Sequence, residues 1–192
     1  MNASAAHVRL REATAADHAR VDGCFAQGLH DDASYRRYVQ GMHALLNGLA
    51  LSDIGLEGMC AEPRERLEQD LSALGAAPLN PAYSLNIGAS DAARLGARYV
   101  VEGSALGARV LFRQAEALGH TSAIGARFLA YHVDRGYTHW PLLVQALTAI
   151  DPDAPEFQTA LTAARDTFAL AAACFDPMGS VAKETDEGPH GH

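Results

Sequence analysis

Basic charge is scarce. Fifteen Lys and Arg stand against 23 Asp and Glu, a net charge of -8 and a pI near 5.5, and no stretch gathers the cations into the stripe that a nucleic-acid surface needs. Cysteine is nearly absent too. Cys24, Cys60 and Cys174 are odd in number, widely spaced and free of any C-x-x-C, so they read as reduced thiols in apolar settings, neither disulfides nor zinc ligands. No run approaches the roughly 18 apolar residues of a membrane span. Met1 to Val8 lacks the basic start and apolar core of a signal peptide, which makes the cytoplasm the expected location. A Gly-rich phosphate loop, an H-E-x-x-H helix, a G-x-S-x-G elbow and any flavin or nicotinamide motif are all missing. No Glu-x-x-His pair falls in an expected helix, which disfavours a carboxylate-bridged di-metal site in a bundle. Nowhere does apolar character alternate with period two, and no repeat is evident, so the expected fold class is all-α, a single-domain multi-helix bundle.

What is there suits that class, since 48% of the 192 residues are hydrophobic, enough for one domain with a substantial core over residues 1–175. Leu10, Thr14, His18, Val21 and Phe25 follow steps of three and four, which predicts a first helix from His7 to about Gly28 with His18 on its inward stripe. A second helix is expected from Asp32 or Ser34, burying Tyr35, Tyr38, Met42, Leu45, Leu46 and Leu49. The segment from Glu62 to Leu74 reads as a short charged helix. After a Pro- and Gly-containing loop, Ser90 or Asp91 can cap a long helix that runs to Gly119. Thr121 or Ser122 can cap the next, through Ile124, Phe128, Leu129 and Tyr131, with Gly136 closing it. Thr138 can cap another that bears Trp140, Leu142, Leu143 and Leu147, with Pro141 tolerated in its first turn. A last helix is expected from Pro155 to Phe175, with Phe157, Leu161, Phe168 and Phe175 inward. Residues 176–192 are polar and expected to be a disordered tail, His190 and His192 included.

The fourth helix carries glycines that need a reason, because each costs about 1 kcal/mol against alanine in a helix interior. Steps of seven and four place Gly96, Gly103 and Gly107 on one narrow stripe of the run Tyr99-Val-Val-Glu-Gly103-Ser104-Ala-Leu-Gly107-Ala-Arg-Val-Leu111. A bare face accepts either a second helix or a flat ligand. Isolated histidines such as His43 and His132 are more often hydrogen-bonded structural groups than ligands.

The neighbours of His18 distinguish it from those two. Leu10-Arg11-Glu12-Ala13-Thr14-Ala15-Ala16-Asp17-His18 resembles the first-helix motif of the biliverdin-forming heme oxygenases. The glycine run, with Gly103-Ser104 followed by Leu106-Gly107, is similar to the distal helix of that family's bacterial members. Gly125-Ala-Arg-Phe-Leu129 followed by Trp140, and Phe168-Ala-Leu with Phe175, resemble its later helices, so the likeness spans roughly Leu10 to Phe175. Three positions differ from the animal members. Ser104 stands where they carry an aspartate, Ala171 where they carry an asparagine, and no basic pair is found near Pro141 and Gln145.

The resemblance implies heme held between the first helix and the glycine helix, as both cofactor and substrate. His18 would be the axial iron ligand, Gly103, Ser104 and Gly107 would form the oxygen-handling face, and Thr14, Tyr99 and Phe168 would line the heme. Arg11, two turns before His18, is placed to meet a propionate. It further implies O2 as co-substrate, biliverdin, carbon monoxide and ferrous iron as products, and a separate reductase or ferredoxin as electron donor. A bilin-binding photoreceptor downstream is a conceivable recipient of the product. The alternative reading is a heme-binding or heme-delivery protein of the same fold without turnover. A helical domain with close-packed glycines and no heme is a further alternative.

Overall fold

The structure, a computed structural model, describes residues 5–51, 55–135 and 139–176. The expectations for Gly136, Thr138 and the tail from 177 to 192 fall outside them. Among the described residues every regular element is helical: α1 (Ala5–Ala13), α2 (Ala15–Gly23), α3 (Asp32–Gly48), α4 (Glu57–Ala73), α5 (Asp91–Ser104), a 3-10 turn (Ala105–Gly107), α6 (Ala108–Ala117), α7 (Arg127–Arg135), α8 (Trp140–Thr148) and α9 (Pro155–Phe175). The fold is all-α, as the absence of period-two patterning predicts. Helix α9 is the central post, against which α2, α3 and α5 pack.

Two apolar clusters flank that post. The larger is built on Tyr35, Leu45, Leu67, Leu129 and Leu170, and the smaller joins Leu10, Tyr99, Leu143, Phe157 and Phe168. Burial of such side chains, about 1.5–3 kcal/mol each, is the main favourable contribution. The inner faces expected for α3 and α9 are the observed ones, with Tyr35, Tyr38, Met42, Leu45, Leu46, Leu49, Phe157, Leu161, Phe168 and Phe175 all buried.

Several boundaries differ from the sequence expectation, each for a local reason. The expected single first helix kinks at Thr14, whose φ of -104° and ψ of 5° leave the helical basin. Thr14 is 1% exposed, and its hydroxyl donates to the Leu10 carbonyl at 2.8 Å, the back-bonding that bends helices. Asp31, one residue earlier than expected, caps α3: its carboxylate accepts from the Ser34 amide at 2.7 Å and Ser34 Oγ accepts from the Asp31 amide at 3.1 Å. Helix α4 starts five residues before Glu62 and carries Pro63 in its interior; burial of Leu56, Cys60 and Pro63 offsets the backbone hydrogen bond that proline cannot donate.

Helix α7 starts at Arg127, not near Thr121, and Ile124 is 64% exposed. Its cap comes from a distant part of the chain. Asp70 on α4 is fully buried and accepts from the amides of Arg127 and Phe128, both at 2.9 Å. The expected long glycine helix is also interrupted, because residues 105–107 tighten to 3-10 geometry and divide it into α5 and α6. Ser90 does cap α5, accepting from the Ala93 amide at 3.2 Å.

Candidate functional site

Thr14 joins the two halves of the candidate site. The kink brings its hydroxyl within hydrogen-bonding reach of the Tyr99 phenol, and burial holds that phenol above its ordinary range. One turn beyond Thr14 on α2 lies His18, and one turn beyond Tyr99 on α5 lies Gly103. Phe168, 7% exposed, belongs to the same cluster as Tyr99 and Leu10. Arg11 lies on the exposed side of α1, close enough to Tyr99 and His7 for its charge to lower both their pKa values, below the effect of burial in His7.

His18 is not an inward residue. Its side chain is 62% exposed, and α2 contributes no buried residue, because the kink swings α2 away from the line that α1 follows into the core. The ring meets Phe168 edge-on with centroids 5.8 Å apart. Nδ1 lies 3.0 Å from the Asp22 carboxylate, one turn along the same helix. A carboxylate at one ring nitrogen is the kind of contact that orients a metal-binding imidazole. Asp22 has no place in the sequence expectation, although its i,i+4 spacing from His18 was a visible signal.

The three glycines do not form one bare stripe. A Cβ on Gly96 would run into the backbone carbonyl of Ala160, so this position serves the close approach of α5 and α9. At Gly103 a Cβ would meet the Trp140 ring at 3.4 and 3.6 Å, and at Gly107 it would meet nothing within 4 Å. Gly96 and Gly103 share α5, and the 3-10 turn offsets Gly107 from them. Close packing therefore explains Gly96, whereas Gly107 is exposed and no packing contact accounts for it. Ser104 is exposed, and its hydroxyl donates back to the Val101 carbonyl at 2.7 Å.

Trp140 and His7 are the functional-region residues that spacing alone does not single out. Trp140 lies 5.7 Å from both the Tyr99 ring and the His7 ring, and His7 is 6.1 Å from Tyr99. These aromatics close the space between α1, α5 and α8. His43 and His132, the other helix histidines, lie elsewhere. Asn47 approaches the buried His43 ring at 3.1 Å, and burial lowers the His132 imidazole to about 4, its ring edge-on to Phe128. Among the described residues no three His, Cys, Asp or Glu side chains converge on a common metal position.

No family model matches this sequence, and no curated protein does. Among solved structures, the chain is similar to the NO- and CO-bound heme oxygenase from Neisseria meningitidis, at 26% identity over 96% of both chains with a TM-score of 0.68.

Proposed function

We propose that this chain is a heme-degrading monooxygenase that binds heme through His18 and opens the macrocycle with O2 and externally supplied electrons. The observation that carries the reading is the exposed His18 imidazole, paired through Nδ1 with Asp22 on a helix without buried residues. It coincides with the full-length likeness to a heme oxygenase and with the absence of a multi-residue metal cluster among the described residues.

The side chains present suit a flat, dianionic, iron-bearing ligand. His18 would hold the iron of such a group, and the macrocycle would supply its other nitrogens. Arg11 offers an exposed guanidinium to a carboxylate, worth about 0–1 kcal/mol at such an exposed position. The empty space beside Gly107 lets a ring approach backbone, while Phe168 and Tyr99 give apolar edges. When bound, heme supplies the oxygen-activating chemistry at its own iron. The polypeptide holds the ring, and Thr14 fixes the kink that presents His18. With no flavin or nicotinamide motif in the sequence, the electrons come from a reductase or ferredoxin. Biliverdin, carbon monoxide and ferrous iron are the products, residues 1–175 are the working unit, and the site of action is the cytoplasm.

Hemin titration followed by ascorbate under air tests this. Saturable heme absorbance and its conversion to a bilin spectrum are the expected results. Bound heme that survives reductant would instead identify a heme carrier, and no heme absorbance at all would leave a helical domain without the cofactor. His18→Ala is expected to abolish the axial-imidazole spectrum with the helical content retained. An unchanged spectrum in that variant would refute His18 as ligand and turn attention to His43 and His132.

A further inference from the structure

The direction of α2 is not dictated by α1. Thr14 leaves the helical basin between them, so α1 ends at Ala13 and α2 starts afresh at Ala15. Helix α2 then has no buried residue with which to seat itself. Val21 anchors its far end among apolar side chains, but apolar contact is non-directional. The angle at the kink therefore rests on polar contacts from a neighbouring element.

Helix α9 supplies them. Arg165 reaches both sides of the kink: Nη2 donates to the carbonyl of Ala13, the last residue of α1, at 2.9 Å, and Nε lies 3.5 Å from the carboxylate of Asp17 in the first turn of α2. A planar guanidinium with several donors suits such bridging, where an ammonium would offer only a point charge. Phe168, three residues further and so on the same face of α9, meets the His18 ring edge-on at 5.8 Å. One face of α9 thus holds the two ends of the kink and the ring just beyond it. An exposed ion pair contributes little to global stability. Against a helix with nothing buried, little is needed to set its direction.

We infer that Arg165 is a positioning residue for His18: it bridges Ala13 and Asp17, sets the angle at Thr14, and so seats the imidazole against Phe168. Asp17 immediately precedes His18, so the anchor acts on the ring through a single peptide unit. The consequence for heme rests on His18 as the iron ligand, as proposed above. The seating of the ring on Phe168 does not depend on it.

The first readout is made without heme. The edge-on Phe168 ring displaces the His18 ring-proton NMR signals, identified by their loss in His18→Ala, from those of a free imidazole at the same pH. Arg165→Gln is expected to move them most of the way back while helical content is kept. Arg9→Gln is the control, since it removes a comparably exposed arginine whose partner, Asp153, lies outside α2, and it should leave the His18 signals in place. Parent-like His18 signals in Arg165→Gln would overturn the proposal whatever that variant's Tm, and so would an equal displacement in Arg9→Gln. With hemin, Arg165→Gln should bind more weakly by roughly threefold, within what an exposed pair can contribute, and Arg9→Gln like the parent. Parent-like affinity in Arg165→Gln would overturn the consequence for heme. A parent that takes up no heme, or an axial-imidazole spectrum that survives His18→Ala, would instead refute His18 as the ligand, and the heme-free signals would still decide the role of Arg165.

Discussion

Three alanine substitutions on one helical run separate a packing glycine from a ligand-facing one. At Gly96 the new methyl collides with the Ala160 carbonyl, a backbone atom in the middle of a 21-residue helix, which cannot move without dragging α9. Overpacking of this kind costs about 1–3 kcal/mol or more, and the gain of roughly 1 kcal/mol in helix propensity offsets only part of it. A net loss of about 2 kcal/mol corresponds to a Tm lower by about 4–8 °C in a domain of this size. Gly107→Ala places its methyl in open space, so the apo-protein should hold its Tm or gain a few degrees, by about 0.5–1 kcal/mol. Gly103→Ala meets Trp140 at ordinary contact distance and should fall near neutral. Circular-dichroism melts of the apo-proteins, alongside bilin formation per folded molecule, provide the assay. Gly107→Ala is expected to impair turnover while leaving or raising Tm, and Gly96→Ala to lose turnover only in step with folding. A parent-like Tm for Gly96→Ala would refute the close-contact argument. Reduced Tm with unchanged turnover at both Gly103 and Gly107 would refute their facing heme.

Other perturbations follow from the buried polar groups. Asp70→Ala leaves the amides of Arg127 and Phe128 without acceptors, an expected loss of about 1–3 kcal/mol measurable by urea unfolding, with hydrogen exchange rising at the start of α7. His132 is held near 4 in the folded chain against about 6.5 unfolded. Its neutral form therefore favours folding above pH 6.5, and that contribution is lost as pH falls from 6.5 through 4, up to about 3 kcal/mol. His132→Phe should flatten this part of the pH–stability curve; a parent-like curve would refute it. Burial raises all three thiols, Cys60 to about 12, so native protein at pH 8 should resist iodoacetamide at Cys60 and Cys174 until denaturant is added, as mass spectrometry would show.

Much of the scaffold was legible because periodicity reports burial directly. Tyr35, Met42 and Leu45 recur at helical spacing and face the core, and Pro155 opens α9 as proline does at a first helical position. What escaped depends on contacts between distant segments or on geometry inside a turn. No local signal says that Asp70 will cap α7 across 57 residues of chain. The kink at Thr14 replaces one helix by two, and with it the expected inward His18 becomes an exposed ring. Extrapolating 3.6-residue spacing through residues 105–107 aligned Gly107 with Gly96 and Gly103, from which the 3-10 turn offsets it. At the candidate site the residue types were legible, while their orientation was not. Asp22 and Trp140 acquire roles only when the helices are placed.

The fastening of α2 has a kinetic consequence. With no buried residue of its own, this helix is held by the partly buried Val21, which touches both apolar clusters, and by Arg165, which donates to the Ala13 carbonyl at 2.9 Å and pairs with Asp17 at 3.5 Å. Exposed ion pairs weaken with ionic strength, whereas apolar burial does not. Segments with few buried contacts open locally at a small fraction of the global unfolding free energy. The amides of α2 should therefore exchange with solvent well before those of α3 or α9, and faster still in salt. A flat ligand meeting this face would encounter a helix whose opening costs only the Val21 contacts and the Arg165 clamp, so its rate of entry would be set by these local holds more than by the stability of the bundle.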